Sequence, residues 1–157
     1  MSSFANAKRF SVVDFEDAAT IINTRCAAHK KTRGLSPFEN ALGQWKREAY
    51  TLVRGTINRS GGHNIIKTIV RSRNVTPDRL LYAGNEFYWG LLAIDPFEAA
   101  VTKKDISIFS RQMAYADLHS IAPHFLVGFL YQSGSPTQIT RKLKEGYREP
   151  WFKGPRK

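Results

Sequence analysis

The sequence predicts an α+β domain: N-terminal helices, including one long amphipathic helix, packed on a small antiparallel β-sheet, with extended N- and C-terminal arms. Three observations carry this expectation. Apolar residues recur at three- and four-residue steps through the first half of the chain, as on helices that bury one face. After Gly84 the texture changes to short apolar runs separated by turn residues, which reads as strands. Helices first and strands afterwards is the order of an α+β fold with an antiparallel sheet. At 157 residues the chain fits one domain, able to bury about two-thirds of its unfolded surface. It divides into an arm over 1–12, a helical part over 14–83, a β part over 86–131 and a basic tail over 145–157.

Each element has its local reason. Residues 1–12 read as an arm, with Lys8 and Arg9 beside Phe10, Val12 and Val13. From Asp14 to about His29, acidic residues at the start suit the positive end of a helix, and Phe15, Ala18, Ile22 and Cys26 fall at helical spacing. Lys30, Lys31 and Gly34 close it, the cations near the negative end and the glycine free to take a left-handed cap. Ser36-Pro37-Phe38-Glu39 has the form of a capping box with proline at the first helical position, so a long helix is expected to start there. Phe38, Ala41, Leu42, Trp45, Ala49, Leu52, Val53, Thr56 and Ile57 mark its buried face, with Lys46, Arg47, Arg54 and Arg59 largely off it.

Gly61-Gly62 ends or kinks this helix, because each glycine costs a helix interior about 1 kcal/mol relative to alanine. "HNIIKTIVRSR" then restarts with Ile65, Ile66, Ile69 and Val70 inward and Lys67, Arg71 and Arg73 outward, and Thr76-Pro77-Asp78 caps another short helix. Beyond it, "EFYWGLLAI", "EAAV", "DISIF" and "PHFLVGFLYQ" read as strands, and "REPWFKGPRK" as an extended tail.

Charge narrows the function. The chain carries +11 and a pI near 10.0, which directs it to polyanions or acidic protein surfaces. Residues 1–80 hold 14 basic and 6 acidic groups, against 10 and 7 over 81–157, so most of the excess lies in front. One cysteine, Cys26, allows no intrachain disulfide and reads as a small core residue. The longest apolar stretch, around Ile121 to Tyr131, is too short for a bilayer, and no signal-peptide pattern opens the chain, so no membrane partner is expected.

Catalysis finds little support. Cys26 and His29 share a helical face, but zinc needs three or four ligands and no second pair is spaced to match, so no metal is expected. His63, His119 and His124 could serve acid–base work on a phosphodiester, yet none sits in a motif. No phosphate loop, dinucleotide fingerprint or hydrolase motif is present, and the expectation is a non-enzyme without cofactor.

The stretch "IIKTIVRSRNVTPDRLL" has the look of a helix-turn-helix. Its second helix, however, offers mainly Arg79 before turning apolar, where a recognition helix needs several polar side chains at base edges. The longer segment "INRSGGHNIIKTIVRSRNVTPDRLL", with "DISIFSRQ" and "PHFLVGFLYQSG" downstream, resembles the phage minor tail protein Z and tail-completion families over Glu39 to Gly134. "MAYADLHSIA" and the stretch after Pro136 depart from that pattern. The resemblance implies a non-enzymatic virion protein of the tail or neck, made in the host cytoplasm. It would assemble as a homo-oligomeric ring with other tail and neck proteins and touch DNA at most non-specifically. On that reading Arg54, Arg59, Lys67, Arg71, Arg73, Arg79 and Arg111 form the assembly or polyanion-facing surface, and Ser36, Glu39, Trp45, Gly61 and Gly62 are structural. The alternative is a basic nucleic-acid-binding protein with a helix-turn-helix-like segment.

Overall fold

The core of the described residues is formed by helices and the loops between them. A computed structural model describes residues 9–32, 34, 35, 40–73 and 85–151. Among these residues there are seven α-helices, a single 3₁₀ turn and no strand. The antiparallel sheet expected over 86–131 is therefore replaced by α4 (Glu86–Ile94), α5 (Lys103–Leu118), the 3₁₀ turn (Pro123–Phe125) and α6 (Leu126–Ser133). They follow α1 (Val12–His29), α2 (Ala41–Ile57) and α3 (Gly62–Ser72), and precede α7 (Pro136–Glu145).

The physical reasons for the correction are local. α4 is buried along nearly its whole circumference, from Phe87 to Ile94. A helix surrounded by protein has no polar face, so its sequence is a continuous apolar run that periodicity cannot tell from a buried strand. Asn85 starts it by accepting the backbone N–H groups of Phe87 and Tyr88 at 3.1 and 3.4 Å. "DISIF" alternates like a strand over five residues, but Ile106, Phe109, Met113 and Ala116 continue it with helical spacing and are all buried. Thr102 and Asp105 form a reciprocal capping box ahead of it. In "PHFLVGFLYQ", Leu126, Phe129, Leu130 and Ser133 line one buried helical face.

The first helices also shift. α1 starts two residues before Asp14, on a capping box between Ser11 and Asp14, and buries Phe15, Ala19, Ile22 and Cys26, with Ala18 only half-buried. The described part of the presumed N-terminal arm does not stand away from the core: Phe10 and Val12 pack against it. α2 begins at Ala41 on an Asn40 cap, whose side chain accepts the Gly43 N–H at 2.8 Å. Ser36 and Glu39, the expected start, lie outside the described residues. So do Thr76-Pro77-Asp78 and Arg79.

Trp45 sits where three helices meet. It is 1% exposed, and its indole N–H donates to Asn23 Oδ1 of α1 at 2.9 Å, while Asn23 Nδ2 donates to the Ile94 carbonyl at the end of α4 at 3.0 Å. α4 approaches α2 so closely that a Cβ on Gly90 would lie 2.4 Å from a Val53 methyl. Tyr50 stacks on Phe87 and donates its hydroxyl to the Ile121 carbonyl at 2.7 Å, tying α2 to the loop after α5. The turn after α4 is organised by buried Asp95, which accepts the N–H groups of Ala99, Ala100 and Val101 at 2.7 to 2.8 Å.

The expected C-terminal arm is stitched down as far as Trp151. Ser135 and Gln138 cap α7, Pro136 opens it, and Gly146 ends it in the left-handed conformation. Glu149 is then buried and accepts the Tyr115 hydroxyl, Lys142 Nζ at 2.9 Å and the Trp151 indole N–H at 3.0 Å. Its own backbone N–H donates to His119 Nε2 at 2.9 Å, leaving His119 Nδ1–H to donate to the Tyr115 carbonyl. Residues 152–157, the rest of the proposed arm, lie outside the described residues.

Burial pushes the Glu149 carboxyl up, but the hydrogen bonds from Tyr115, Lys142 and Trp151 and the Lys142 charge outweigh it, leaving the group below its usual value. A depressed carboxylate stabilises the fold above its unfolded pKa and loses that contribution as pH falls through the folded one. On acidification below the ordinary glutamate range the melting point of the parent should therefore fall more than that of Glu149→Gln. In thermal melts, Trp45→Ala should cost about 3–5 kcal/mol and Thr102→Ala about 1 kcal/mol. A harmless Trp45→Ala would mean that the three-helix junction is misassigned.

Candidate nucleic-acid interface

The basic stretch acquires its shape from the two glycines. α2 ends at Ile57, and a turn closes with the Gly62 N–H donating to the Arg59 carbonyl at 3.0 Å. Gly61 has φ +76°, a left-handed conformation that disfavours side chains. At Gly62 an added Cβ would fall 1.7 Å from the Thr56 carbonyl oxygen, so backbone meets backbone with no room for a methyl. The pair thus ends α2 and sets α3 off in a new direction.

α3 buries Gly62, Ile66, Ile69 and Val70, and packs mainly on α4 with further contacts to α1 and α2. Its opposite side exposes His63, Asn64, Lys67, Thr68, Arg71 and Ser72. Lys67 and Arg71 are four residues apart and share one side of the helix, as do Asn64 and Thr68. No Asp or Glu occurs between Glu48 and Asp78, so α3 presents cations and neutral donors without a carboxylate of its own. With its side chains an α-helix is about 10–12 Å across, a cross-section that a major groove about 12 Å wide admits.

The surface expected from the sequence divides on this scaffold. Arg59, Lys67, Arg71 and Arg73 gather on and beside α3. Arg59 lies over the Phe10 ring, 4.5 Å from its centroid, and Arg73 pairs with Glu16 of α1 at 2.5 Å. Arg54 is drawn inward instead: it pairs with Asp117 at 3.2 Å and donates to the Ile121 carbonyl at 3.0 Å, bracing α2 against the end of α5. Arg111 is half-buried on α5, where it bonds Ser107 of its own helix. Arg79 is outside the described residues. Asn64 and Thr68 were not singled out from the sequence, although their spacing to Lys67 and Arg71 contains the signal.

The candidate chemical groups are dispersed. Cys26 is buried with its Sγ 3.8 Å from the Ala41 carbonyl, and burial pushes its thiol up. His63 faces Glu86 at 3.5 Å, His119 serves the C-terminal network, and the His124 ring packs on Phe125. Among the described residues no three His, Cys, Asp or Glu side chains are grouped to hold a metal ion, and no helix is long and apolar enough to cross a membrane. A largely apolar cleft of about 570 Å³ opens beside α6, lined among others by Ile121, Ala122, Phe125, Phe129 and Trp151. Protein-family models, curated proteins and solved structures were compared with the chain, and none matches.

The junction that aims α3 is open to a direct test. Gly62→Ala should destabilise the protein by about 1–3 kcal/mol, the range for forcing atoms into filled space, and Gly61→Ala by about 1 kcal/mol for left-handed strain. Denaturant midpoints showing Gly62→Ala as stable as the parent would place the start of α3 elsewhere.

Proposed function

We propose that this protein is a non-enzymatic nucleic-acid-binding protein that grips the phosphate backbone through α3, with little dependence on base sequence. The supporting observation is the solvent face of α3, where Lys67 and Arg71 stand exposed on a helix without a carboxylate. An excess of +11 supplies the long-range attraction. Phosphate contacts from such side chains position a protein on a duplex, and specificity needs further base-edge contacts. With Arg59 and Arg73 engaged by Phe10 and Glu16, few long side chains remain for that purpose.

A second reading, a structural subunit of a phage tail or neck ring, draws on the sequence resemblance and on the apolar cleft beside α6. Phe125 is 64% exposed there, and a large apolar surface of this kind suits a protein neighbour. The strand features of that resemblance are helices in this fold. A ring subunit through which DNA passes would use the same basic face.

Titration of random duplex DNA at several salt concentrations separates these readings. Log affinity should fall linearly with log salt. Replacing Lys67 and Arg71 with Gln should weaken all duplexes alike and reduce the slope by about 0.9 for each lost phosphate contact. An unchanged slope would remove α3 from the interface, and a sharp selected motif that disappears with Arg71→Ala would identify a sequence-specific regulator. Absence of binding even at low salt, together with a closed oligomer in solution and in virions, would establish the tail or neck reading.

A further inference from the structure

Residues 118–140 include no Lys, Arg, Asp or Glu, although 24% of the chain is charged. The next longest uncharged run, Phe87–Ile94, is α4, which is surrounded by protein. The longer run has no such reason, because much of it meets water. His124, Phe125, Gly128, Tyr131 and Gln132 are all exposed. A helix at the surface ordinarily turns charged side chains outward. α6 turns out Gly128, Tyr131 and Gln132 instead, with Phe125 immediately before it.

The 570 Å³ cleft runs along one flank of this helix, where Phe125, Gly128, Gln132 and Trp151 line it and no Lys, Arg, Asp or Glu does. Trp151 is 46% exposed there, with its indole N–H held by Glu149 at 3.0 Å. On the other flank Tyr131 is 79% exposed and borders a second cleft, toward α2. Between the two lies Gly128. Among the described residues nothing comes within 4 Å of the place a Cβ on Gly128 would occupy. Glycine inside a helix is destabilising relative to alanine, and the packing of this chain does not call for it. What a bare backbone does permit is the close approach of another one.

Loss of charge with exposed Phe, Tyr and Trp is the composition of a protein interface core. Charge also selects the partner. An acidic protein would be drawn to the basic surfaces elsewhere, whereas a second copy, also at +11, can approach without opposing like charges only where both surfaces are neutral. We propose that this face pairs with itself, joining two copies across a two-fold axis at Gly128. In a self-complementary contact each residue meets its counterpart reciprocally. With the two α6 helices antiparallel about Gly128, positions three before and three after it oppose each other. Each Tyr131 therefore packs against the partner's Phe125 and fills the cleft beside it, an aromatic contact of the kind that strengthens interfaces. The interface uses no residue of α3, so it stands or falls separately from the nucleic-acid reading.

Sedimentation equilibrium of the full, nuclease-treated chain, from micromolar to millimolar and at several salt concentrations, tests this. A monomer–dimer equilibrium is expected, with the dimer strengthening as salt screens the repulsion between the two copies. Association bridged by nucleic acid would weaken with salt instead. Tyr131→Lys and Gly128→Lys, both at exposed positions, should keep the circular dichroism of the parent and weaken the dimer at least about tenfold. Tyr131→Phe should retain it. Phe97→Lys, which changes a 66% exposed aromatic on the loop after α4, should leave association unaltered. A chain that stays monomeric throughout would overturn the proposal, including one whose cleft takes up a small apolar dye or a different protein. So would a dimer that weakens with salt, that survives both lysine substitutions at α6, or that is lost with Phe97→Lys.

Discussion

A buried tryptophan must find an acceptor for its indole N–H, and in this protein that requirement organises the bundle. Trp45 places its ring among α1, α2 and α5, within 6.1 Å of Phe109, and hands its proton to Asn23. Asn23 in turn satisfies the carbonyl of Ile94, where α4 stops. One side-chain amide thus couples the packing of the largest core residue to the end of the most buried helix. Buried polar groups are tolerated when every member of such a chain is paired. Because the geometry of one bond depends on the next, α1, α2 and α4 are held in a single mutual arrangement.

The two halves of the fold were unequally legible. α1, α2 and α3 each have a wet side, so their apolar residues recur with a helical period, and Ile66, Ile69 and Val70 are buried as that period requires. α4 has almost no wet side, so the same rule had nothing to act on. The local signals that could have corrected the error were caps. Thr102 with Asp105 and Ser135 with Gln138 are reciprocal boxes of the kind sought at Ser36 and Glu39, and the second also has proline at the first helical position. Weighing those starts above the texture of "DISIF" would have recovered α5 and α7.

The candidate surface was legible as a composition and not as a place. Helical periodicity puts Arg54 and Arg71 alike on the outer side of their own helices, but whether that side meets water depends on what packs there. Asp117 and the Ile121 carbonyl claim Arg54 from positions 63 and 67 residues away. Such distant partners leave no trace in local spacing. The same holds for Glu149, an acidic residue in a basic tail, whose burial depends on meeting Tyr115, His119 and Lys142.

That meeting has a consequence for how the chain is made. Tyr115 and His119, at the end of α5, present polar atoms toward the position Glu149 will occupy, yet Glu149 is made 34 and 30 residues after them. The helices up to Ser133 can collapse around Trp45 while this seam stays open to water. Closure comes only once Glu149 is in place, so a chain cut short before it carries an exposed mark of incompleteness that chaperones and proteases can read.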